Sequence, residues 1–383
     1  MSNRDRSTTV NAQPVSGEDA LWAIRFLRGR EPRDMAELAA LRRLRNCGRL
    51  RACLMRGPRP EGFNFLAPMD AWTVTWAFRM ILGRPPESAA VIAHFCALPS
   101  LQVLADTLYD SAEFLASGRP WTRIEINGTP SRFIGEADDA YFRDLPLAAA
   151  DAGQVGNLAG AVARARGRPM EVVDIGANLG LTAVAMAPHA SRLLAVEPNP
   201  AIADCLLFNL GLNGLDHVEV AQTALGDGDG EVSFHTAAFS AGSHIADADD
   251  ARPTTRVPMT TLDSALAARG FSDIGFIKLD VEGFERQVIT GAAATMEACR
   301  PVIFAEFNTW ALMANGDSNP MHLLLDWVAR FPHVHAMADP AALRFTAIGR
   351  ADLRDVLYRN IFFRGCVENL VLSHDLGWLE QLP

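Results

Sequence analysis

Residues 170–185 read Met-Glu-Val-Val-Asp-Ile-Gly-Ala-Asn-Leu-Gly-Leu-Thr-Ala-Val-Ala, and residues 192–199 read Arg-Leu-Leu-Ala-Val-Glu-Pro-Asn. The run 171–175 is short, mostly apolar and contains β-branched residues, which predicts a buried parallel strand. The apolar run 193–196 predicts a second strand of the same kind. Two buried strands joined by about 17 residues leave room for one crossover helix, so this stretch indicates an α/β fold with a parallel sheet.

The connection between these strands has the composition of a ligand-binding turn. Gly176, Asn178 and Gly180 predict a tight turn into a helix that begins near Leu181, and the second strand delivers Glu197 at its carboxyl end. Glycines let the backbone approach a ligand, the helix N-terminus offers free N–H groups, and the acid can accept both hydroxyls of a ribose. Strand, glycine turn, helix, strand and acid therefore predict a nucleotide-binding βαβ unit.

The turn also indicates which nucleotide binds. The dinucleotide fingerprint Gly-x-Gly-x-x-Gly makes room for a pyrophosphate at its middle glycine, and Asn178 stands at that position here. Asp174, at the end of the strand, suits a cationic ligand better than a phosphate. S-adenosylmethionine carries a sulfonium and an ammonium, so the pattern favours this cofactor over NAD. A dehydrogenase with the same sheet is the weaker alternative.

A later strand contains charged residues within an otherwise apolar run. Residues 274–281 read Ile-Gly-Phe-Ile-Lys-Leu-Asp-Val, and alternation along a strand places Lys278, Asp280 and Glu282 on one face. Burying an unpaired charge is unfavourable, so Lys278 and Asp280 are predicted to pair. The chain has 34 arginines and a single lysine, Lys278, which indicates that a compact ammonium is required at this position.

These residues are the predicted catalytic group. Ligands of doubly wound sheets bind beyond the carboxyl ends of the strands, where Asp280 and Glu282 should border a methyl donor. We expect Asp280 to be the base or the carboxylate that orients the acceptor, with Lys278 fixing it, and Glu306, at the end of the next strand, to be a second candidate. A purely structural ion pair is the alternative for Lys278 and Asp280.

Composition bounds the remaining possibilities. The chain has 383 residues, 49% of them hydrophobic and 21% charged, without an apolar run of 18 residues or a secretory signal, so a cytoplasmic protein is expected. Its net charge of −10 argues against nucleic acid as a partner. Six cysteines without a CxxC pair are expected to be reduced thiols. No metal site is predicted.

The N-terminal third repeats itself. Residues 22–32 match residues 76–86 at six of eleven positions with a period of 54, and each copy predicts a helix that ends at Gly-Arg and proline. We expect residues 1–17 to be a disordered tail, 18–118 a tandem helical module and 119–383 the catalytic domain. The Leu-Gly-Arg-x-Pro signature at 82–86 and the ending Ser111-Ala-Glu-Phe114 resemble a small helical module found beside bacterial surface-glycan enzymes. This resemblance implies scaffolding or the binding of a protein partner more than chemistry.

Other segments complete the prediction. Residues 123–134 predict a hairpin with an Asn-Gly turn, and 151–166 a helix that leads into the nucleotide unit. The polar segment 240–250, with Ser243 and His244, could lie beside the ligand and close over the substrate, and Glu282 is a further candidate for substrate contact. As a lone histidine in a loop, His244 is more often solvated than catalytic. Residues 355–363 predict a closing strand.

Seven motifs, in order, resemble the FkbM family of methyltransferases. They are Asp174-Ile-Gly-Ala-Asn-Leu-Gly, Glu197-Pro-Asn, Asn213-Gly-Leu, Ala224-Leu-Gly-Asp, Val257-Pro-Met-Thr-Thr-Leu-Asp263, Ile277-Lys-Leu-Asp-Val-Glu-Gly283 and Pro301-Val-Ile-Phe-Ala-Glu306. The likeness runs from about residue 121 to 365. It implies a Rossmann-like methyltransferase sheet with helices on both faces, preceded here by the small all-α module.

The resemblance also implies a function. Members depend on S-adenosylmethionine and are mostly assigned to O-methylation, here expected on a hydroxyl of a sugar, glycan or related metabolite. The predicted cofactor-binding residues are Asp174, Gly176, Ala177, Asn178, Gly180, Glu197, Asn199 and Ala224. Mg²⁺ dependence stays open, because Asp280, Glu306 and Asp227 could bind a metal only if they converge. A non-catalytic nucleotide-binding scaffold protein in a surface-glycan assembly is the main alternative function.

Overall fold

The computed structural model describes residues 14–44, 47–55, 62–115, 121–135, 139–215, 217–235, 240–245, 254–315, 318–339 and 342–382. Two compact units make up the chain. One consists of Met1–Thr122, Arg132–Ala137 and Leu207–Gly214, and the other of Arg123–Ser131, Asp138–Leu206 and Leu215–Pro383. The predicted disordered tail, 1–17, lies almost entirely outside the described residues. No helix within the described ranges is long and apolar enough to cross a membrane.

The first unit is mainly helical. Its helices are α1 (Gly17–Arg28), α2 (Met35–Leu41), α3 (Cys47–Leu54), α4 (Ala71–Ala77, continued by a π-helical turn Phe78–Leu82), α5 (Ala89–Cys96), α6 (Leu101–Tyr109) and α7 (Ala112–Leu115). Serine or aspartate side chains cap the N-termini of α1, α2, α4, α5 and α6 by accepting a backbone N–H of the first turn.

The sequence repeat corresponds to a structural repeat. Gly29 and Gly83 end the two copies in the left-handed conformation that glycine adopts most easily. Trp22 of α1 and Trp76 of α4, which occupy equivalent positions, stack with ring centroids 6.1 Å apart and planes 8° from parallel. Each copy therefore buries its aromatic residue against the other, which is why one copy alone would expose its apolar face.

The second unit alternates strands and helices. Its strands are β1 (Trp121–Ile126), β2 (Thr129–Ile134), β3 (Met170–Ile175), β4 (Ala190–Val196), β5 (Val218–Ala221), β6 (Ala224–Leu225), β7 (Gly230–His235), β8 (His244–Ile245), β9 (Thr254–Thr260), β10 (Ile274–Leu279), β11 (Val302–Asn308), β12 (His333–Asp339), β13 (Arg344–Ala347) and β14 (Val367–Ser373), with both β1 and β2 running across a boundary between the units. Its helices are α8 (Ala140–Arg166), α9 (Leu181–Met186), α10 (Pro200–Leu212, whose last residues belong to the first unit), α11 (Leu262–Ala267), α12 (Glu285–Thr290), α13 (Ala293–Cys299), α14 (Thr309–Ala314), α15 (Pro320–Arg330) and α16 (Leu353–Phe363).

The main sheet has eight strands in the order β13-β12-β14-β11-β10-β3-β4-β5. From β11 to β5 all neighbours are parallel, whereas β14 is antiparallel to β11 and to β12. The chain leaves β3 toward β4 and β5 on one side and continues later with β10 and β11 on the other. The strand order therefore reverses between β3 and β10, where open α/β sheets bind their ligands. This topology confirms the predicted Rossmann-like methyltransferase sheet.

The strands β3, β10 and β14 lie in the middle of the sheet, and most of their residues are buried. Burial on both faces explains why β3 and β10 read as nearly continuous apolar runs. A separate four-stranded sheet, in the order β6-β9-β7-β8, follows β5. The predicted hairpin is present as β1 and β2.

Two sequence-based expectations of local structure are wrong. Residues 355–363, predicted as a closing strand, belong to α16, and the antiparallel strand that they were expected to form is β14. The helix predicted over 151–166 begins at Ala140, eleven residues earlier, and it contains Pro146. Pro146 is the seventh residue of this helix, so the carbonyl of Phe142 lacks the amide donor that any other residue would supply from position 146.

Candidate active site

A cavity of about 460 Å³ opens at the carboxyl ends of β3, β4, β10 and β11. Of the predicted site residues, ten line it: Gly176, Ala177, Asn178, Glu197, Ala224, Ser243, Lys278, Asp280, Glu282 and Glu306. All of these belong to the second unit. The cavity volume lies within the range of small-molecule binding sites.

The glycine turn after β3 is packed against the end of β10. Gly176 has φ +75°, and a β-carbon at this position would overlap the carbonyl oxygen of Asp280. The amide nitrogens of Gly176 and Ala177 both donate to the carbonyl of Val196, at 3.1 and 3.0 Å. Only glycine meets both requirements, positive φ and the absence of a side chain, so its role here is steric.

Glu197, at the end of β4, is tied to the same turn. Its carboxylate accepts the amide of Asn178 at 3.0 Å and the amide of Asn199 at 2.8 Å. Burial raises the pKa of Glu197 to about 7, although these two backbone hydrogen bonds oppose the shift. The acid that was predicted to contact the ribose is thus held in a fixed position at the cavity wall.

Lys278 connects three acidic or polar groups. Its Nζ lies 3.1 Å from Oδ2 of Asp280 and 3.9 Å from Oδ1 of Asp174, and it donates to the carbonyl of Gly176 at 3.0 Å. Burial alone would lower the pKa of Lys278, but the carboxylates of Asp280 and Asp174 raise it above its usual value. The predicted pairing of Lys278 with Asp280 is present.

Three carboxylates converge in the cavity, beyond the ends of β10 and β11. Asp280, Glu282 and Glu306 each place an oxygen within 4.8 Å of the others, whereas Asp227 does not join them. Asn308 donates to Glu282 at 3.3 Å and lies 3.5 Å from Glu306. The trio has the donor set of a divalent cation site, but the ammonium of Lys278 already compensates Asp280.

The environment of these carboxylates changes their acidity. Burial, together with the charges of Asp280 and Glu285, raises the pKa of Glu282 to about 8. Burial, together with Asp280 and Glu282, also raises the pKa of Glu306 well above its usual value. Carboxyl groups of this kind are stronger proton acceptors than a solvated glutamate, as general bases require.

Four predicted site residues do not line the cavity. Asp174 is fully buried behind Lys278 and accepts the hydroxyl of Thr182 at 2.7 Å. Gly180 begins α9 with φ +90°, and the Asn199 side chain accepts the amide of Ala201 in the first turn of α10. His244 is 4% exposed, and its ring centroid lies 5.3 Å from that of His235.

Several cavity residues were missed by sequence reasoning. Tyr141, Phe304, Asn308, Met337, Val367 and Asn369 line the cavity but come from α8, β11, β12 and β14. Asn308 could have been suspected, because a polar residue at the end of a parallel strand is a usual site position. The others are brought in by tertiary folding, and no local pattern marks them.

Residues 174–331 match the family described as the methyltransferase FkbM domain. Residues 174–331 thus have the sequence pattern of an FkbM methyltransferase domain. The match begins at the acid that ends β3 and includes the glycine turn, Glu197, Lys278 and the carboxylate trio. The family resemblance read from the sequence is thereby confirmed.

Solved structures of two methyltransferases are similar to this chain. Methyltransferase FkbM from Methylobacillus flagellatus KT is 14% identical, with 54% of this chain and 44% of that chain covered and a TM-score of 0.34. The chain thus spans less than half the length of that protein. The O-methyltransferase from Bacillus cereus, solved in complex with SAH, is 14% identical, with 57% and 79% covered and a TM-score of 0.32. No protein of curated function matches the sequence.

Proposed function

We propose that this FkbM domain transfers a methyl group from S-adenosylmethionine to an acceptor hydroxyl. The single observation that carries the proposal is the contact between the glycine turn and the acidic end of β10, where the Gly176 carbonyl and Asp280 share the ammonium of Lys278. A ligand held by the glycine turn would lie beside the carboxylates that can accept a proton. Cofactor binding and proton removal therefore belong to one cavity.

In the proposed reaction the acceptor oxygen attacks the methyl carbon of the sulfonium. The new O–C bond forms as the C–S bond breaks, so the sulfonium becomes a neutral thioether and the hydroxyl proton passes to a carboxylate. Asp280 is the proposed acceptor of this proton because Lys278 fixes its position, and Glu306 is the second candidate. Positioning and proton removal are the two contributions that such an in-line displacement needs.

We propose that the cofactor binds in the same cavity. Glu197 would accept the ribose hydroxyls, and Thr223, Ala224 and Leu225 would border the adenine. The side chain of Asn178 occupies the place where dinucleotide sites keep a glycine, which supports S-adenosylmethionine over NAD. The acceptor class that we propose, a sugar or glycan hydroxyl, rests on the family resemblance and on the N-terminal module, and the proposed cytoplasmic location rests on the sequence composition.

The domain division 18–118 and 119–383 also stays a proposal, as does the partner-binding role of the helical module. Trp72 of α4 is 55% exposed and Leu66 97% exposed, so the first unit presents apolar side chains that a protein partner could cover.

Calorimetric titration of the full chain with S-adenosylmethionine, S-adenosylhomocysteine and NADH tests the proposed function. Micromolar binding of both adenosyl ligands with none for NADH is the expected result, and it would justify a screen of hydroxylated acceptors. Binding of NADH alone would overturn the proposal. Absence of binding for all three ligands would favour the non-catalytic scaffold.

A further inference from the structure

A group of exposed apolar side chains lies on α14, on α16 and at the start of β14. Thirteen large apolar side chains are exposed within the part of the chain that the structure describes, and seven of them belong to these three elements. They are Trp310, Met313, Tyr358, Ile361, Phe362, Phe363 and Val367. We call these seven residues the apolar patch. Exposed apolar side chains that cluster in this way mark surfaces that bind a partner or a membrane.

The members of the apolar patch are neighbours in space as well as in sequence. The amide of Thr309, the first residue of α14, donates to the carbonyl of Cys366 at 2.9 Å. The hydroxyl of Thr309 donates to Oδ1 of Asn360 at 2.7 Å. The start of α14 is therefore fixed to the last turns of α16, where the ring centroids of Tyr358 and Phe362 lie 4.8 Å apart. The two helices thus present their exposed residues on one continuous surface.

This surface continues into the candidate active site. Val367 is 38% exposed and belongs to the apolar patch, and it also lines the cavity. Asn308, which pairs with Val367 across β11 and β14, lines the cavity as well. A residue that is partly exposed and yet lines the cavity lies at its mouth. Whatever covers the apolar patch would therefore lie at the entrance of the cavity.

The charge around the apolar patch has the opposite sign to that of the whole chain. Residues 350–364 contain four arginines and two aspartates, a net charge of +2, whereas the chain has a net charge of −10. Arg359 pairs with the buried Glu368. Arg350 and Arg354 are exposed, and neither has an acidic partner among the residues that the structure describes. Their charges are available to an anionic surface.

The combination of these side chains distinguishes between the possible partners. Exposed aromatic side chains next to arginines are typical of helices that lie in the interface of a membrane, where the rings enter the headgroup region and the arginines meet anionic lipids. A second copy of the chain is a poorer partner. In a twofold contact the apolar patch would meet itself, so that Arg350 and Arg354 would approach the same arginines of the other copy.

We propose that the apolar patch binds the surface of an anionic lipid bilayer. The aromatic side chains of α14 and α16 would enter the headgroup region, and Arg350 and Arg354 would contact lipid phosphates. This inference goes beyond the proposed function and does not depend on it, because lipid binding requires neither the cofactor nor the acceptor. It would place the mouth of the cavity, at Val367, against the lipid surface.

Sedimentation of the full chain with lipid vesicles tests the proposal. Vesicles of mixed phosphatidylcholine and phosphatidylglycerol are compared with vesicles of phosphatidylcholine alone. We expect the wild type to bind the mixed vesicles more tightly and to lose this preference as the salt concentration rises. The double variant Phe362→Ser, Phe363→Ser should bind the mixed vesicles about tenfold or more weakly, because two apolar side chains are no longer available for burial.

Two further variants separate the contributions of charge and of apolar surface. Arg354→Gln should weaken binding to the mixed vesicles about fivefold and leave binding to phosphatidylcholine unchanged, since only anionic lipids attract its charge. Met35→Ser removes an exposed apolar side chain from α2, outside the apolar patch, and should bind as the wild type does. All the replaced side chains are exposed, so thermal unfolding should show equal Tm values.

Three results would overturn the proposal. The first is no binding of the wild type to the mixed vesicles, and the second is equal binding by the wild type and the double phenylalanine variant. The third is a wild type that is dimeric by light scattering and does not bind vesicles, with a monomeric double variant, because a second copy would then cover the apolar patch. Titration with S-adenosylhomocysteine in the absence of vesicles reports on the proposed function separately.

Discussion

The ammonium of Lys278 lies 3.1 Å from Oδ2 of Asp280, inside a strand end that is otherwise apolar. The same ammonium donates to the Gly176 carbonyl at 3.0 Å, so one side chain joins the ends of β3 and β10. The lysine side chain is 8% exposed and Asp174, its second acidic neighbour, is fully buried. The Lys278–Asp280 pair therefore stabilises the fold, and Asp280 is also the proposed proton acceptor.

Replacing Lys278 should destabilise the protein. Lys278→Met leaves the carboxylates of Asp174 and Asp280 without their cation. Removing one partner of a buried ion pair lowers the free energy of unfolding, here by roughly 3 kcal/mol. We expect a value at the low end of the usual range for buried pairs because Asp280 is partly exposed. Lys278→Arg keeps the charge but replaces a compact ammonium with a planar guanidinium, and it should lose less stability. Denaturant midpoints of the three proteins measure this. A wild-type midpoint for Lys278→Met would contradict a structural role of the ammonium.

Asp280→Asn should separate chemistry from binding. The amide keeps the shape of the side chain but cannot take the proton of an acceptor hydroxyl, so kcat should fall about 100-fold or more, the usual size of a general-base contribution. Affinity for S-adenosylhomocysteine should change by less than about threefold, since the glycine turn and Glu197 are intact.

The control for this variant is Glu297→Gln on α13, whose exposed side chain does not line the cavity and which should leave kcat unchanged. Initial rates with a methyl acceptor and calorimetric titration provide the two readouts. Full turnover in Asp280→Asn would reject Asp280 as the base and leave Glu306 as the candidate, to be tested by Glu306→Gln.

Sequence patterns predicted the parts of the site that depend on local chemistry. One continuous stretch of the chain contains β3, the glycine turn, β4 and Glu197. Its apolar runs, its glycines and its terminal acid could therefore be recognised directly from the sequence. The pairing of Lys278 with Asp280 could be read because charges in a buried strand must find partners two residues along the same face.

Other parts could not be predicted because they depend on tertiary packing. Tyr141 and Asn369 are more than 200 residues apart and meet only in the folded domain. Tyr358, Phe362 and Phe363 favour strands by intrinsic preference, yet they lie on the exposed side of α16, whose buried residues Leu353, Val356 and Asn360 follow a helical spacing. The secondary structure of this segment therefore follows the helical spacing of its buried residues and not the intrinsic strand preference of its aromatic residues.

Gly176 should tolerate no side chain. Gly176→Ala combines a positive φ with a β-carbon that overlaps the Asp280 carbonyl, so the ends of β3 and β10 must separate. Gly167 is a matched control, since its φ of +64° is similar but no atom lies within 4 Å of its β-carbon position. Gly167→Ala should lose about 1 kcal/mol and bind S-adenosylhomocysteine normally, because only the backbone preference is affected. Gly176→Ala should lose more stability and its ligand binding; equal behaviour of the two variants would refute the steric argument.

Stability should fall as the pH rises from about 5 to 8. Burial raises the pKa of Glu285 to about 7, and its Oε2 accepts no hydrogen bond from any described residue. At pH values between the unfolded pKa of Glu285, near 4.5, and its folded pKa, Glu285 is protonated in the folded state and ionised in the unfolded state. The free energy of unfolding therefore decreases with rising pH in this window, and Glu282, with a pKa raised to about 8, adds to the effect.

Glu285→Gln isolates this contribution, because glutamine resembles the protonated acid and can still accept the amides of Val281 and Gly283 through its oxygen. At pH 5 the variant and the wild type should have similar Tm values. At pH 8 the variant should be more stable by up to roughly 3 kcal/mol, the free energy that corresponds to the shift of the Glu285 pKa. Glu297→Gln, an exposed substitution on α13, controls for the loss of one negative charge and should leave the pH profile unchanged. Thermal unfolding of the three proteins in a pH series measures the effect, and parallel profiles for Glu285→Gln and wild type would show that Glu285 is ionised in the folded state without penalty.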